Sequence, residues 1–459
     1  MKKILTLSAA VLASSLSHAA DLSTIYQYAV SNDAEIATAR ANRQANSYNV
    51  GTARGGLLPQ ASLNYSITQI DVESDLPAGS IGTEERDYEQ SQLQLQASQA
   101  LFNLNSWYTY QAAVAGDDVA GYQLQLAEQQ LLLRSAQSYF NVLRAQDNLS
   151  AAQAEEKAVK RSLEQTKQRF DVGLIAITEV HEAQAGYDLS YVNLLGQEAN
   201  LDISYEALER LTGTYFDTVT PLRPEVTMEM PQPAVADEWL ASGMAKYAGL
   251  RLAEANKEAV RMQRNATRSN HLPSVNLVAS YTDGDQPSFT SDDTYNQETT
   301  AIGVQLSVPL LAGGSLYSQS KQAAKQFAAS EYQLENERRT VKQNIRSLFR
   351  LIKTDVLNVK ARKQAIVSAE SALEATETGY EVGTRNIVEV LDAQRNLFRA
   401  QSDYANARYD YIENLLNLKF FAGTLNAKDI DMLNGWLAQP AAAPQTAPSA
   451  TQDPSATQS

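Results

Sequence analysis

The sequence predicts an α+β membrane protein that arose by internal duplication, with four β-strands and two long helical hairpins. The motif Phe-Asp-Val-Gly at 170–173, followed by Ile-Thr-Glu-Val at 177–180, recurs as Tyr-Glu-Val-Gly at 380–383 and Ile-Val-Glu-Val at 387–390. Four segments alternate apolar and polar residues, and two long stretches contain no proline. Because these parts occur in the same order in each half, both halves are predicted to form the same units.

The composition excludes several classes of protein. The chain has 459 residues, a formal net charge of −15 and no cysteine. Negative charge repels phosphate backbones, so we expect no nucleic-acid partner. Without cysteine there is no disulfide, no thiolate metal site and no thiol for lipid attachment. No spacing typical of a catalytic or metal site occurs, and His181 and His271 are the only histidines after residue 19. We therefore expect no enzyme, cofactor or bound metal.

Both ends of the chain are predicted to lie outside the fold. Lys2 and Lys3, an apolar run at 4–16 and Ser-His-Ala at 17–19 are typical of a secretory signal, so residues 1–19 are predicted to be removed. Residues 438–459 are rich in Pro, Ala, Gln, Thr and Ser and are predicted to be disordered. After the signal no apolar run of about 18 residues occurs, so no helix is predicted to span a bilayer.

The alternating segments predict strands at about 60–70 and 88–102 in the first half and at about 273–283 and 295–310 in the second. One face of each predicted strand is apolar, as at Leu63 and Leu95, and the other face carries uncharged polar side chains, as at Asn64 and Gln94. Lengths of about nine to eleven residues and a neutral polar face suit a membrane barrel with a wet lumen. We expect residues 71–87 and 283–294 to be long, acidic outer loops. A soluble sandwich is the alternative that these strands leave open.

Four strands are too few to close a barrel, because about eight is the smallest number whose side chains fill the interior. Open strand edges in lipid would leave backbone groups unsatisfied, so we expect the chain to form an oligomer. Two copies would supply eight strands and little lumen, whereas three would supply twelve strands and a water-filled passage.

The proline-free stretches predict long helices at about 105–170 and 315–378, the first about 100 Å long. Each is expected to end where Gly173 or Gly383 adopts a left-handed conformation, and return helices are predicted at about 177–211 and 386–421. The repeats span 20–213 and 237–437, joined by a Pro-rich linker at 214–236. In the second long helix, apolar residues recur at coiled-coil spacing: Leu334, Val341, Ile345, Leu348, Ile352, Val356 and Val359.

The motifs Gly-Tyr-Glu-Val-Gly-Thr-Arg at 379–385 and Ile-Val-Glu-Val-Leu-Asp-Ala-Gln at 387–394 resemble those of the TolC-type outer-membrane efflux proteins. The resemblance covers residues 21–421. It implies a homotrimer in the outer membrane of a Gram-negative bacterium, whose 12-stranded β-barrel, with four strands per chain, continues into a 12-helix periplasmic α-barrel of long coiled-coil hairpins.

The resemblance also implies a function and partners. Such a protein is a passive exit duct for drugs, other small toxic compounds and secreted proteins. A periplasmic adaptor would dock on the helix-tip turns at Gly173 and Gly383, and an inner-membrane efflux pump or ABC exporter would supply the energy.

By the same resemblance, Glu389 and Asp392 ring the narrowest point of the pore. They lie three residues apart and so share one face of the return helix. Six such carboxylates in a trimer would attract cations and raise one another's pKa. Family members usually carry aspartate at both positions, so the longer Glu389 is expected to change the width of the closed pore. The alternative for Glu389 is a capping box with Asn386.

The resemblance implies a latch in which Tyr380 and Arg385 form hydrogen bonds with Thr178 and Glu179 and hold the tip shut. Charge-assisted bonds of about 1.5 to 3 kcal/mol each could be broken by adaptor docking without unfolding a helix. The alternative is that Arg385 only occupies a turn and contacts none of these groups.

Trp107, Tyr108 and Tyr110 follow the second strand, where barrel would give way to helix. This position predicts an aromatic girdle in contact with outer-membrane lipid, with core packing as the alternative.

Two other functions compete with an exit duct. A periplasmic adaptor would have one helical hairpin, a membrane anchor and no strand pairs, and a fibrous coiled coil would not explain the four strands.

Overall fold

Each half of the chain folds as two helices, an antiparallel strand pair, a long helix and a return helix. The structure is a computed structural model, and it describes residues 19–75, 83–287 and 294–438. The predicted signal before residue 19, the predicted tail after residue 438 and the tips of both strand pairs lie outside these ranges.

The elements of the two halves correspond in order. The first half comprises α1 (Leu22–Asn32), α2 (Ala34–Gly55), β1 (Gln60–Asp75), β2 (Thr83–Phe102), α3 (Leu104–Asp171) and α4 (Ile177–Thr212). The second half comprises α5 (Ala236–Lys246), α6 (Ala248–Ser269), β3 (Ser274–Pro287), β4 (Thr294–Ser307), α7 (Ser315–Glu381) and α8 (Ile387–Phe421), and α9 (Ala427–Asn434) follows.

The strands form one antiparallel sheet in the order β1-β2-β3-β4. They have 16, 20, 14 and 14 residues, so the first three are longer than their predicted spans, whereas β4 ends at Ser307 instead of at residue 310. Much of the two expected outer loops is strand, because pairing continues to Asp75↔Thr83 and to Pro287↔Thr294. The prediction of loops at 71–87 and 283–294 was wrong in extent. Apolar alternation fades near residues 70 and 283, but backbone hydrogen bonds do not require apolar side chains.

The sheet has one apolar face, and that face is exposed. Leu63 pairs with Leu95, which pairs with Tyr281, and the exposed fractions of Leu63 and Ile302 are 64% and 77%. The opposite face carries a polar row that crosses all four strands: Asn64, Gln94, Thr282 and Thr299. No second sheet covers the apolar face within the described ranges, so the soluble-sandwich alternative is wrong. A lipid-facing exterior explains the exposed apolar side chains.

The helices continue the order of the strands below the sheet. Near the sheet, α3 packs against α2 and α6, and α6 packs against α7. Toward the far end, α3 packs against α4 and α8, and α8 packs against α7. Because α3 has 68 residues, it extends about 100 Å from the sheet. One chain therefore has a helical edge at α2 and α4 and a second edge at α7.

A coiled-coil seam and a central core hold the helices together. On α7 the predicted seam residues Leu334, Val341, Ile345, Ile352 and Val359 are buried. The core lies where residues 20–22 and 219–222 meet α3: Ala20 pairs with Val219, and the fully buried Tyr139 donates its hydroxyl to the Thr220 carbonyl at 2.6 Å. Among the described helices, none is both long enough and apolar enough to cross a membrane.

Candidate functional site

The two helix-tip turns have the same backbone geometry. Gly173 and Gly383 both adopt φ = +79°, a left-handed conformation that favours glycine. Leu174 N–H donates to the Arg169 carbonyl at 2.9 Å, and Thr384 N–H donates to the Gly379 carbonyl at 2.8 Å. These bonds cap the carbonyl ends of α3 and α7 in the same way. The sequence duplication is therefore matched in the backbone at the tip.

Glu389, one of the two predicted constriction acids, is paired within its own helix. The guanidinium of Arg385 donates to the Glu389 carboxylate one turn away, and both side chains are exposed. This hydrogen bond lowers the pKa of Glu389 from its ordinary value. Within one chain a cation lies closer to Glu389 than another carboxylate does. The increase in pKa expected for six carboxylates in a trimer stays a prediction. The Asn386 side chain also accepts the Glu389 N–H at 3.0 Å, as half of the alternative capping box.

Asp392, the second predicted constriction acid, is also paired with an arginine. Arg395 donates to the Asp392 carboxylate at 3.0 Å, and both side chains are more than half exposed. Sequence reasoning missed Arg395, although a spacing of three residues on a helix is sufficient to predict the pair. The first turns of α8 therefore present two carboxylates, each paired with an arginine: Glu389 with Arg385 in the preceding turn, and Asp392 with Arg395.

The predicted latch is not formed within one chain. Tyr380 and Arg385 make no hydrogen bond to Thr178 or Glu179, and Arg385 is engaged by Glu389 instead. The Tyr380 hydroxyl is buried and has no hydrogen-bond partner among the described residues. A latch between neighbouring chains stays a prediction.

The side chain that does contact Tyr380 is Arg169, which sequence reasoning missed. Its guanidinium lies over the Tyr380 ring, 4.7 Å from the centroid. The sequence feature that could have pointed to Arg169 is a difference between the repeats, because Arg169 before the first motif corresponds to Gly379 before the second. The contact joins the end of α3 to the end of α7.

A polar cleft of about 640 Å³ lies behind this contact, between α3, α7 and α8. The side-chain amide of Gln394 bridges it, donating to the Ser162 hydroxyl at 3.1 Å and to the Glu377 carboxylate at 3.3 Å. These polar bonds lie beside an apolar cluster in which Val159 and Leu163 of α3 pack against Ile387, Val390 and Leu391 of α8, so both kinds of contact hold α8 to α3 here.

The three predicted girdle aromatics lie in the first two turns of α3, directly below the sheet. The Trp107 side chain is 47% exposed, and its ring centroid is 6.0 Å from that of Tyr110. Tyr108 and Tyr110 are half-buried. Trp107 is therefore exposed at the sheet end of α3 and the two tyrosines are partly packed, whereas a girdle in contact with lipid stays a prediction.

Comparison with known sequences identifies the family. The model of the outer membrane efflux protein family matches residues 25–214 and 245–424, once in each repeat. The chain is 37% identical to outer membrane protein TolC of Salmonella enteritidis, with 93% of this chain and 87% of that protein covered. It is 27% identical to the proteases secretion protein PrtF of Dickeya chrysanthemi, with 90% of each covered.

Solved structures show the same fold. The outer membrane channel CmeC of Campylobacter jejuni has a TM-score of 0.75 at 17% identity, and the alignment covers 91% of this chain and 90% of that one. The outer membrane protein VceC of Vibrio cholerae has a TM-score of 0.72 at 19% identity, covering 88% of this chain and 96% of that one.

These findings confirm the predicted resemblance, fold class and outer-membrane location. The adaptor alternative is wrong, because the chain has two helical hairpins and two strand pairs and matches channel structures along most of its length. The fibrous alternative fails for the same reason. The chain belongs to the outer membrane efflux protein family.

Proposed function

We propose that three copies of this chain form one hollow duct, with a gate at the helix tips that opens when a periplasmic adaptor docks. The protein is an outer-membrane exit duct for efflux and for type I secretion. Its cargo comprises drugs, other small toxic compounds and secreted proteins. An inner-membrane efflux pump or ABC exporter supplies the energy, and cargo moves through the duct passively.

The observation that carries the proposal is that one chain leaves both edges of its sheet open. β1 and β4 each have a partner on one side only, although their apolar face is exposed. Unpaired backbone groups in lipid cost several kcal/mol each, so an isolated sheet of this kind is not stable in a bilayer. Pairing β1 of one copy with β4 of the next, three times around, closes a barrel of twelve strands and removes every edge.

The helical edges support the same assembly. On α4 the exposed fractions of Leu189, Val192 and Ile203 are each 65%, and on α7 that of Leu357 is 62%. These apolar side chains lie on the two helices that have no neighbour on one side within the chain. Contact between α4 of one copy and α7 of the next buries them. The strands and helices of one chain thus require partners on the same two sides.

This arrangement supports a latch between neighbouring chains. Thr178 and Glu179 lie at the start of the edge helix α4, and Tyr380 lies at the end of the edge helix α7. When these edges meet, the unpaired Tyr380 hydroxyl and the Arg385 guanidinium of one chain lie near Thr178 and Glu179 of the next. Six carboxylates from Glu389 and Asp392 then surround the axis, each accompanied by its own arginine.

The helix tips suit docking of an adaptor. Val172, Leu174 and Val382 flank Gly173 and Gly383, and each of the three is 70% exposed. Apolar side chains exposed on tight turns are a suitable surface for another protein. Because both repeats present the same turn, an adaptor meets two similar surfaces in each chain.

The gate is tested by single-channel conductance of the purified protein in planar bilayers. We expect Arg385→Ser and Tyr380→Phe to raise the conductance of the closed duct, because each removes one latch contact. Conductance equal to that of the wild type in both variants would disprove the latch.

The duct itself is tested in a deletion strain, where we expect sensitivity to detergents and dyes and loss of secreted proteins. Unchanged tolerance and secretion would contradict the export function.

A further inference from the structure

The helices are positively charged next to the sheet, although the chain as a whole carries −15. We define the collar as the three helical turns nearest the sheet on α2, α3, α6 and α7, residues 45–55, 104–114, 259–269 and 315–325. The collar contains no Asp or Glu, and its charged residues are Arg54, Arg261, Arg264, Arg268, Lys321 and Lys325.

Within the part of the chain that the structure describes, most collar cations have no carboxylate partner. Arg261 pairs with Glu258, but the other five form no ion pair with any residue in the described ranges. The Arg264 guanidinium lies 4.5 Å from the Phe327 ring centroid, and Lys321 Nζ lies 5.3 Å from that of Tyr317. Arg54, Arg268, Lys321 and Lys325 are exposed. Their charge is available to an anionic partner.

The collar lies at the level of the membrane surface. Directly above it, at the ends of the strands and in the adjoining loops, Leu101, Val308, Leu310 and Leu311 are exposed, the last two to more than 90%. Arg54 and Arg268 are one residue from the sheet ends of α2 and α6, and Lys321 is about 9 Å along α7 from its start. Polar headgroup layers extend several ångströms beyond the hydrocarbon core, so these cations lie at headgroup depth.

We propose that the collar binds the headgroups of anionic phospholipids in the periplasmic leaflet of the outer membrane. Arg and Lys beneath an apolar band attract anionic lipid, and aromatic neighbours such as Trp107 and Tyr317 suit the same interface. The helices leave the sheet toward the periplasm, so the lipid belongs to that leaflet. The collar fixes the depth of the sheet in the bilayer by charge as well as by apolar area.

Trp107 provides a built-in probe of this contact. The chain has three tryptophans; Trp239 is buried in α5 and Trp436 follows α9, so only Trp107 lies in the collar. The full-length trimer is reconstituted in vesicles of phosphatidylcholine and phosphatidylglycerol, with bromine on the chains of one lipid or the other. We expect brominated phosphatidylglycerol to quench Trp107 about threefold more than its mole fraction predicts. High salt should reduce the preference.

The test variant combines Arg54→Gln, Arg268→Gln and Lys321→Gln. In this variant we expect the two brominated lipids to quench Trp107 equally. A matched control removes the same charge lower on α7, with Lys342→Gln, Lys353→Gln and Lys360→Gln, and should keep the wild-type preference. Heat-sensitive trimer migration checks that both variants assemble. Inorganic phosphate at equal ionic strength should not compete, because free phosphate lacks the bilayer that presents the headgroups.

A second readout does not depend on where the indole points. Native mass spectrometry counts phosphatidylglycerol molecules retained by detergent-purified trimers, and we expect fewer on the test variant than on the wild type or the control. Equal retention by all three proteins, or an absence of Trp107 quenching by either lipid, would overturn the proposal, since the cations would then face water or the lumen. Loss of the lipid preference on adding phosphate alone would also overturn it, in favour of a free-anion site.

Discussion

The guanidinium of Arg169 lies 4.7 Å from the centroid of the Tyr380 ring, and the two side chains come from different repeats. Arg169 also donates to the carbonyl oxygens of Tyr380 and Glu381 at 3.5 and 3.4 Å. Because these carbonyls end α7, the cation also interacts favourably with the negative end of the helix dipole. One side chain of α3 therefore holds the end of α7 in place.

Arg169→Ala should loosen the tip and raise single-channel conductance. A cation–π contact contributes about 1 kcal/mol, which corresponds to roughly a fivefold shift toward the open state. Arg169→Lys should have an intermediate effect, because an ammonium group cannot match the planar stacking of a guanidinium. The matched control is Arg161→Ala, an exposed arginine in the wall of the same cleft. Equal conductance in Arg169→Ala and in the control would contradict this role.

The pairing of Arg385 with Glu389 predicts a pH dependence of ion selectivity. The hydrogen bond lowers the pKa of Glu389 below its ordinary value of 4.5. A carboxyl with a lowered pKa keeps its charge, and the stabilisation from its pair, above the ordinary value and loses both as pH falls through the lowered value. Cation selectivity should therefore persist down to about pH 4.5 in the wild type and begin to decline at a higher pH in Arg385→Ser.

Reversal potentials in a KCl gradient, recorded from neutral to acidic pH, measure this selectivity. Arg395→Ser is the control, because it removes the neighbouring arginine and leaves the Glu389 pair intact. If wild type and Arg385→Ser lost selectivity at the same pH, Arg385 would not control the charge of Glu389.

The trimer interface between α4 and α7 should be sensitive to charge. Val192→Asp or Leu357→Asp places a carboxylate where the proposed assembly buries an apolar side chain, and the lost burial alone amounts to about 1.5 to 3 kcal/mol per site. We expect trimers of these variants to dissociate at lower temperature in gel migration. Gln153→Asp adds the same charge to an exposed position on α3, which is not an edge helix, and should change nothing. Trimers of unchanged heat resistance would argue against this interface.

The sequence predicted the helical hairpins and the family well, because periodicity, missing proline and repeated turns are local signals. It underestimated the strands, since pairs such as Asp75↔Thr83 form a backbone ladder without apolar alternation. It also missed Arg169, because no local pattern brings residue 169 next to residue 380. That contact depends on how the two hairpins pack, which only the folded chain defines. Within one chain Arg385 contacts Glu389, because a helical pair close in sequence forms more readily than a contact with a distant turn, and the latch between chains stays a prediction.

Gly243 is predicted to tolerate no larger residue, because α5 approaches α7 and the end of α8 closely there. A Cβ at position 243 would lie 2.5 Å from Ile345 Cδ1 and 2.7 Å from the Phe421 carbonyl oxygen. The backbone oxygen cannot move without shifting α8, so α5 would have to move away. Overpacking of this kind lowers stability by about 1 to 3 kcal/mol. The larger side chain in Gly243→Val should lower stability more than the added methyl group in Gly243→Ala.

Thermal unfolding followed by far-UV circular dichroism should show lower midpoints for both Gly243 variants. Gly116→Ala is the matched control, since position 116 lies within α3 and an added Cβ would meet no atom within 4 Å. Because alanine is a better helix former than glycine, the control should raise stability by about 0.5 to 1 kcal/mol. The same substitution is thus expected to act with opposite signs at the two positions. A Gly243→Ala midpoint as high as that of Gly116→Ala would show that α5 has room to move and that its close packing on α7 does not limit stability.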